Sequence, residues 1–220
     1  MRREGGAVRP AHACPRGPGA TLAAPVRRAA LGCGLALLAA CRPAAVPYVP
    51  PVPGTVYHYT AFSNTITGVD GWRTAYVDDR GRPGSRLALF ITEDPRRPAT
   101  PDSGALARLW PLRVGSELAF RTQVGPEVWR WEFRVTGTEE VPVPAGRFAT
   151  VVVQGAQEPA LVHDPRVAST VLYTWWYAPR LAAVVRVRSR FLTGPRAGEA
   201  FEAELERIDS TAATPVGAAR

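Results

Sequence analysis

The chain has 220 residues, with 27 basic and 19 acidic side chains, a formal charge of +8, and 22 prolines beside 20 glycines. Every basic side chain is arginine, and Arg2, Arg3, Arg9, Arg16, Arg27 and Arg28, with the single acid Glu4, precede Cys41, so +5 of the charge lies there and +3 in the rest. A charge gathered in one terminal stretch is not an electrostatic footprint for nucleic acid, and that class of partner is excluded. The length after Cys41 supports one domain with its own core.

In chain order, residues 1–25 come first, without periodicity. This is a long run-up to a signal, and translation is expected to start further on, at a codon such as that of Leu22 or Val26. Arg27-Arg28, an uncharged run Ala29–Ala40 and small residues then follow in the order of a secretory signal. The run is about a dozen residues, against the ~20 of a membrane-spanning helix. Leu38-Ala39-Ala40-Cys41 resembles the lipobox of bacterial lipoproteins. That resemblance implies cleavage between Ala40 and Cys41, a diacylglyceryl group on the Cys41 thiol, and a fatty acyl chain such as palmitate on the new amino terminus. Several chains on one cysteine anchor a protein stably. Arg42, where an inner-membrane signal would carry aspartate, resembles Gram-negative sorting to the periplasmic face of the outer membrane. Cys14 and Cys33 fall in the leader, so the domain is expected to hold no thiol nucleophile, thiolate metal site or disulfide.

Arg42–Gly54 contains five prolines and reads as an extended, semi-rigid tether, so residues 41–54 form a lipidated cysteine and spacer. Residues 55–209 read as one antiparallel β domain and 210–220 as a disordered tail. Short runs of Val, Tyr, Trp, Phe and Thr between Gly/Pro/Asp turns predict strands at Thr55–Phe62, Gly71–Asp78, Arg86–Thr92, Glu117–Gln123, Val128–Thr138, Glu139–Val143, Phe148–Gln154, Thr170–Tyr177, Ala183–Leu192 and Ala200–Ile208. Asp79–Gly84 reads as a turn and Ser103–Leu109 as a short helix.

Alternation is cleanest where Trp129, Trp131, Phe133 and Val135 oppose Arg130, Glu132 and Arg134. Later, Val185, Val187 and Phe191 oppose Arg186, Arg188 and Arg190. The last strand sets Phe201, Ala203 and Leu205 against Glu202, Glu204 and Glu206. A hairpin loop at Thr193–Glu199 would face Arg190 with Glu202, Arg188 with Glu204 and Arg186 with Glu206. Such pairs contribute ~0.2–1 kcal/mol each and, above all, set register. The fold class that follows is all-β, a single antiparallel, strongly curved sheet or half-barrel, with a β-sandwich as the alternative.

No nucleophile elbow, phosphate loop or dinucleotide fingerprint is present. His58 and His163 are far apart without ligand spacing, and no metal or cofactor is expected. An enzyme would need one of them beside a carboxylate in a pocket. The chemistry-bearing residues are therefore aromatic. Trp129, Trp131 and Phe133 share a face, and Trp175-Trp176-Tyr177 must divide between two faces. These six are the candidate surface for a ligand or partner.

Val143-Pro144-Ala145-Gly146-Arg147-Phe148, then Trp176-Tyr177-Ala178-Pro179 and Val184-Val185-Arg186-Val187, resemble a turn-and-strand pattern of bacterial envelope domains of unknown function. Leu109-Trp110-Pro111-Leu112 and Gly115 match its upstream element, so the likeness covers Leu109 to Ile208. It departs at Ala182-Ala183, where the pattern carries glycine. Such domains resemble distant relatives of the half-barrels of periplasmic lipoprotein carriers. The likeness implies fold and brings no catalytic residue. By itself, the turn's Pro142 and Pro144 require a strand edge or a place outside a ladder.

The function expected is that of a non-enzymatic, lipid-anchored envelope protein, in contact with the membrane through its N-terminal lipid and binding a hydrophobic ligand or an envelope protein. The alternatives are a carbohydrate or peptidoglycan binder using Trp72, Trp175 or Trp176, and a purely structural lipoprotein.

Overall fold

The computed structural model describes residues 44–93 and 103–210. The leader, Ala40, Cys41 and the tail after Ser210 lie outside the described residues. Among the described residues, eleven strands form one antiparallel sheet: β1 Thr55–Tyr59, β2 Ser63–Asp70, β3 Arg73–Asp78, β4 Pro83–Leu87, β5 Ile91–Glu93, β6 Glu117–Val124, β7 Glu127–Val143, β8 Gly146–Leu161, β9 Val171–Ala178, β10 Ala183–Phe191 and β11 Ala200–Ser210. Their order is β5-β4-β3-β2-β1-β11-β10-β9-β8-β7-β6. The first and last strands thus meet in the middle, and a single sheet, curled into a half-barrel, stands in place of a sandwich. The curl is visible in one contact. Phe90, in the β4–β5 turn near one edge, lies 5.4 Å from Trp175 on β9 and 6.3 Å from Phe133 on β7, both in the other half of the sheet.

Alternation drives this curl. Along β7, Trp129, Trp131, Phe133 and Val135 are buried while Arg130, Glu132 and Arg134 are exposed. One side of the sheet must therefore leave water, and two buried segments fill it. The first is Leu87–Ile91, and the second runs from the short helix α1 (Ser103–Ala107) through Leu109, Trp110 and Leu112. A second buried cluster forms where the tip of the β7–β8 hairpin reaches β11. There Ala145 N donates to the Leu205 carbonyl at 3.0 Å and Arg186 Nη2 to that of Pro142 at 3.0 Å, above Trp176, Val141 and Val185. Pro142 and Pro144 sit where β7 has run past the end of β6, whose last partner is Arg134, so they occupy an edge.

The structure differs from the sequence reading at several places. Arg86–Thr92, expected as one strand, is broken by a reversal at Ala88–Phe90 that separates β4 from β5. Strand β2 is absent from the sequence reading, because Ser-Asn-Thr-Ile-Thr-Gly has little apolar alternation. Its inward positions are the polar Asn64 and the apolar Ile66, both buried. Strand β4 begins within the expected turn; Gly84 is needed there because a Cβ would fall 2.4 Å from Tyr76 Cζ. Residues 128–143 form one strand with a bulge between Val135 and Gly137, not two strands. A further bulge between Val184 and Arg186 turns Val184 inward beside Val187, opposite Tyr177 and Trp175. Lastly, the charge ladder keeps its face but slips by two residues: Arg188 faces Glu202, Arg186 faces Glu204, and Arg190 faces Ala200. Gly198, at φ 89°, closes the loop one residue early by donating to the Phe191 carbonyl at 2.9 Å.

The proline-rich stretch is extended, as its prolines require, but 44–54 is docked on the domain. Val46 and Leu112 exchange backbone hydrogen bonds of 2.9 and 2.8 Å, and the Tyr48 ring rests 4.4 Å from Trp72 and 5.2 Å from Trp110. The described fold thus begins ahead of Thr55, because Tyr48 supplies an apolar ring that the proline count conceals. At the position where the envelope pattern has glycine, Ala182 adopts φ 49° and closes the 3-10 turn Pro179–Leu181.

Burial pushes the hydroxyls of Tyr57, Tyr59 and Tyr177 above the ordinary phenol range, Tyr177 to about 12. A raised acid contributes stability that is complete below its unfolded value of ~10 and lost as pH climbs through the folded value. The chain has no lysine to titrate in that window. Urea midpoints are thus expected to fall between about pH 10 and 12; a midpoint that holds steady to pH 12 would refute the burial of these hydroxyls.

Candidate functional site

Between the inward face of the sheet and the Leu87–Ile91 segment remains a cavity of about 430 Å³. Its sheet wall is Trp131, Tyr173, Trp175, Val184 and Val187, and the facing wall is Leu89, Phe90 and Ile91. The aromatic wall is one continuous stack. Tyr173 and Trp175 lie 5.0 Å apart at 7°, Trp175 and Phe133 5.4 Å apart at 11°, and Trp131 is 5.7 Å from both Phe133 and Tyr173. Gly155 makes room for this stack, since a Cβ there would lie 2.6 Å from Trp175 Cζ3. Trp131 Nε1 donates to Thr122 Oγ1 at 3.1 Å, which satisfies its polar atom without disturbing the wall.

The facing wall is held by a tight turn. Phe90 N donates to the Leu87 carbonyl at 3.0 Å across Ala88 and Leu89, at φ 44° and 72°. Two consecutive left-handed residues that are not glycine cost about 1–2 kcal/mol each, and such strain persists only where the surroundings impose it. Both residues are buried, and Ala88 N donates to the Trp72 carbonyl at 2.6 Å.

One end of the cavity is polar, with Asn64, Asp78, Arg82 and Arg86. Asp78 is fully engaged: its carboxylate accepts from the Arg80 and Arg82 backbone N–H groups at 3.0 and 2.8 Å and from Arg82 Nε at 2.7 Å, and these bonds hold its carboxyl below the usual range. With the Asn64 amide oriented to satisfy both its ends, Oδ1 accepts from Arg86 Nη2 at 2.8 Å and Nδ2 donates to the Ser63 carbonyl at 3.0 Å. The Tyr59 hydroxyl donates to the Val184 carbonyl at 2.9 Å; burial raises its pKa while the Arg86 charge opposes the rise. At the mouth, Phe62 stacks on the half-exposed Phe201 at 6.5 Å.

The structure therefore divides the six aromatic candidates. Trp131 and Trp175 line the cavity, with Trp129, Phe133 and Tyr177 in the same buried cluster. Trp176 faces the other way, bonded through Nε1 to Glu139 and covered by the guanidinium groups of Arg186 and Arg188 at 5.6 and 5.7 Å. A sugar platform needs an exposed ring, but Trp175 and Trp176 are 3% and 8% exposed and Trp72 lies against Tyr48. Sequence reasoning missed Tyr173, Phe90 and the polar end. Tyr173 follows from its parity with Trp175, whereas Asn64 and Arg86 come from strands that only pairing defines.

His58 does meet a carboxylate and a hydroxyl. Its Nε2 lies 2.9 Å from Asp209 Oδ2 and its Nδ1 3.1 Å from Ser63 Oγ. Arg207 occupies the same corner, donating to Asp209 at 3.1 Å and approaching Nε2 at 3.1 Å. The His58 bond first, and Arg207 second, depress the Asp209 carboxyl. None of the three lines the cavity. His163 is largely exposed, and its backbone N–H donates to Glu127 at 2.7 Å as a loop pin. Among the described residues no cluster of three potential metal ligands occurs. A broader depression of about 690 Å³ lies over β6–β9, where the Glu117–Arg134 pair at its rim is about 60% exposed, so it is a solvated groove.

No family model and no curated protein sequence matches this chain. Among solved structures, the chain is similar to the hypothetical lipoprotein YmcC of Escherichia coli, at 12% identity and a TM-score of 0.46, over 70% of this chain and 83% of that one. It is also similar to a candidate exported protein with a YmcC-like fold from Bacteroides fragilis, at 15% identity and a TM-score of 0.39, over 76% and 100% of the two chains. A candidate lipoprotein from Parabacteroides distasonis shows 13% identity and a TM-score of 0.41, over the same shares.

Proposed function

We propose that this chain is a lipid-anchored envelope protein, held through Cys41 at the periplasmic face of the outer membrane, which binds a hydrophobic, lipid-like ligand inside its half-barrel. The observation that carries the binding reading is the cavity of about 430 Å³ left between two buried walls and faced with stacked rings. Ligand pockets are of this size and apolar character, with a few placed polar groups. A purely structural sheet gains nothing from leaving this volume empty, since unfilled apolar space destabilises a core. The anchor rests on the order of charge, apolar run, small residues and cysteine in the leader.

Both parts are tested on protein purified from its own envelope. The amino-terminal peptide is expected to begin at an acylated Cys41, and an unmodified Cys41 refutes the anchor. Native mass spectrometry of Arg42–Arg220, a unit that contains both buried clusters, is expected to show a retained adduct of lipid mass. Val187→Phe, which fills the cavity from the sheet wall, is expected to lose it. A clean apo mass from gently prepared protein overturns the binding reading.

A further inference from the structure

We infer that the cavity selects an amphiphile bearing an anionic group, a carboxylate or a phosphate on a single apolar chain, and that Arg86 reads the charge. The inference rests on the binding reading above and adds the chemistry of the ligand.

The argument begins with the arginines. Ten of the 17 described arginines make an ion pair with a carboxylate. Of the seven that do not, Arg80, Arg108, Arg113, Arg121, Arg180 and Arg190 are exposed, where water solvates the charge. Arg86 alone is half-buried without an acid within ion-pair distance among the described residues, and it lines the cavity. Withdrawing a charge from water is costly unless a counter-charge replaces the solvent.

The acid in the cavity's lining is already spent. Asp78 lines the same cavity, but Arg82 and two backbone N–H groups hold it. The cavity's charged lining is therefore two arginines against one carboxylate, an excess of one positive charge.

What surrounds Arg86 positions it without neutralising it. Its guanidinium lies 5.1 Å from the Tyr76 ring and 5.7 Å from the Phe62 ring, and such contacts hold a planar cation by its faces. Asn64, 2% exposed, accepts one N–H, and the neutral, buried Tyr59 hydroxyl lies within hydrogen-bonding reach of the same guanidinium. A guanidinium has five N–H donors in a fork that matches a carboxylate or phosphate. The group is thus fixed, charged and only partly bonded, at one end of a cavity whose other walls are Trp131, Trp175, Leu89 and Phe90. An apolar chain satisfies those walls and an anion satisfies the fork. A neutral lipid would leave the charge unanswered, and a free inorganic anion would leave the aromatic wall uncovered.

The test titrates Arg42–Arg220 with dodecanoate, dodecyl phosphate, dodecanol and dodecyltrimethylammonium below their micelle-forming concentrations. The readout is the emission of the tryptophans that line the cavity, with inorganic phosphate as a further arm. At least one anion is expected to bind roughly ten-fold or more tighter than dodecanol, the scale of a charged hydrogen bond. The cation and inorganic phosphate are expected not to bind. Comparing the two anions decides between a fatty-acid and a phosphate-bearing source. Arg86→Gln is expected to bring the preference for the anion over the alcohol to within about three-fold, with dodecanol affinity retained. Arg86→Lys, which keeps the charge but not the fork, is expected to fall between. Dodecanol and the anions binding equally to the unaltered protein would overturn the inference while leaving the hydrophobic cavity standing. Binding of none of the amphiphiles would overturn both.

Discussion

Replacing Trp175 with alanine is expected to remove about 3–5 kcal/mol of stability, the range for deleting a large buried ring. Trp175 is 3% exposed and is the hub of the inward face, stacked on Tyr173 and Phe133 and touched by Phe90 from the facing wall. Each such aromatic pair adds ~0.5–1.5 kcal/mol beyond the area it covers, and the void left behind would open into the existing cavity instead of closing. The reverse change tests the same packing. In Gly155→Ala the new methyl meets Trp175 Cζ3 at 2.6 Å and Cη2 at 2.8 Å. The ring is held by its stack, so overpacking of about 1–3 kcal/mol is expected. Urea midpoints at constant m value measure both. A loss below about 1 kcal/mol for Trp175→Ala would mean that the ring is not part of a packed core.

The second large effect lies at the opposite wall. Glu93 is a fully buried carboxylate on the edge strand β5. Arg73 on β3 holds it with Nε to Oε2 at 2.9 Å and Nη2 to Oε1 at 3.2 Å, and Ser85 on β4 donates to Oε2 at 2.9 Å. Arg73→Met leaves that carboxylate buried without its cation. The expected cost is about 3 kcal/mol, the low end for breaking a buried pair, because the Arg73 side chain is itself 40% exposed. The double variant Arg73→Met/Glu93→Met is expected to recover most of the loss, since no charge then needs a partner. If Arg73→Met alone is neutral by urea unfolding, the pair does not hold this edge. The consequence extends to the site, because this clamp fastens β5 to β3 and β4 and so imposes the left-handed Ala88-Leu89 turn that presents Leu89 and Phe90 to the cavity.

The comparison of sequence with structure turns on what alternation encodes. Trp129 through Val135 shows an apolar residue at every second position, and a period of two leaves only one way to face that row inward. The β class, the inward set Trp129, Trp131 and Phe133, and the division of Trp175 from Trp176 were therefore legible. The Arg186–Arg190 and Glu202–Glu206 rows declared their shared outer face, but not their register, which Gly198 decides by closing the loop one residue early. Strand β2 was not legible, because Asn64 earns its buried place through Arg86 and the Ser63 carbonyl, partners that no local pattern reveals.

The chain's own order of residues determined the antiparallel β character and which aromatic rings turn from water, because each depends on neighbours one to four positions apart. Only the tertiary structure decided that the ends of the sheet curl to face each other across Phe90, that Tyr48 docks the proline-rich stretch, and that Arg86 enters an aromatic cavity with no acid at ion-pair distance among the described residues. Those outcomes depend on strands distant in sequence arriving at one place, and their energies come from burial and from charge balance in a space that exists only after the sheet has closed.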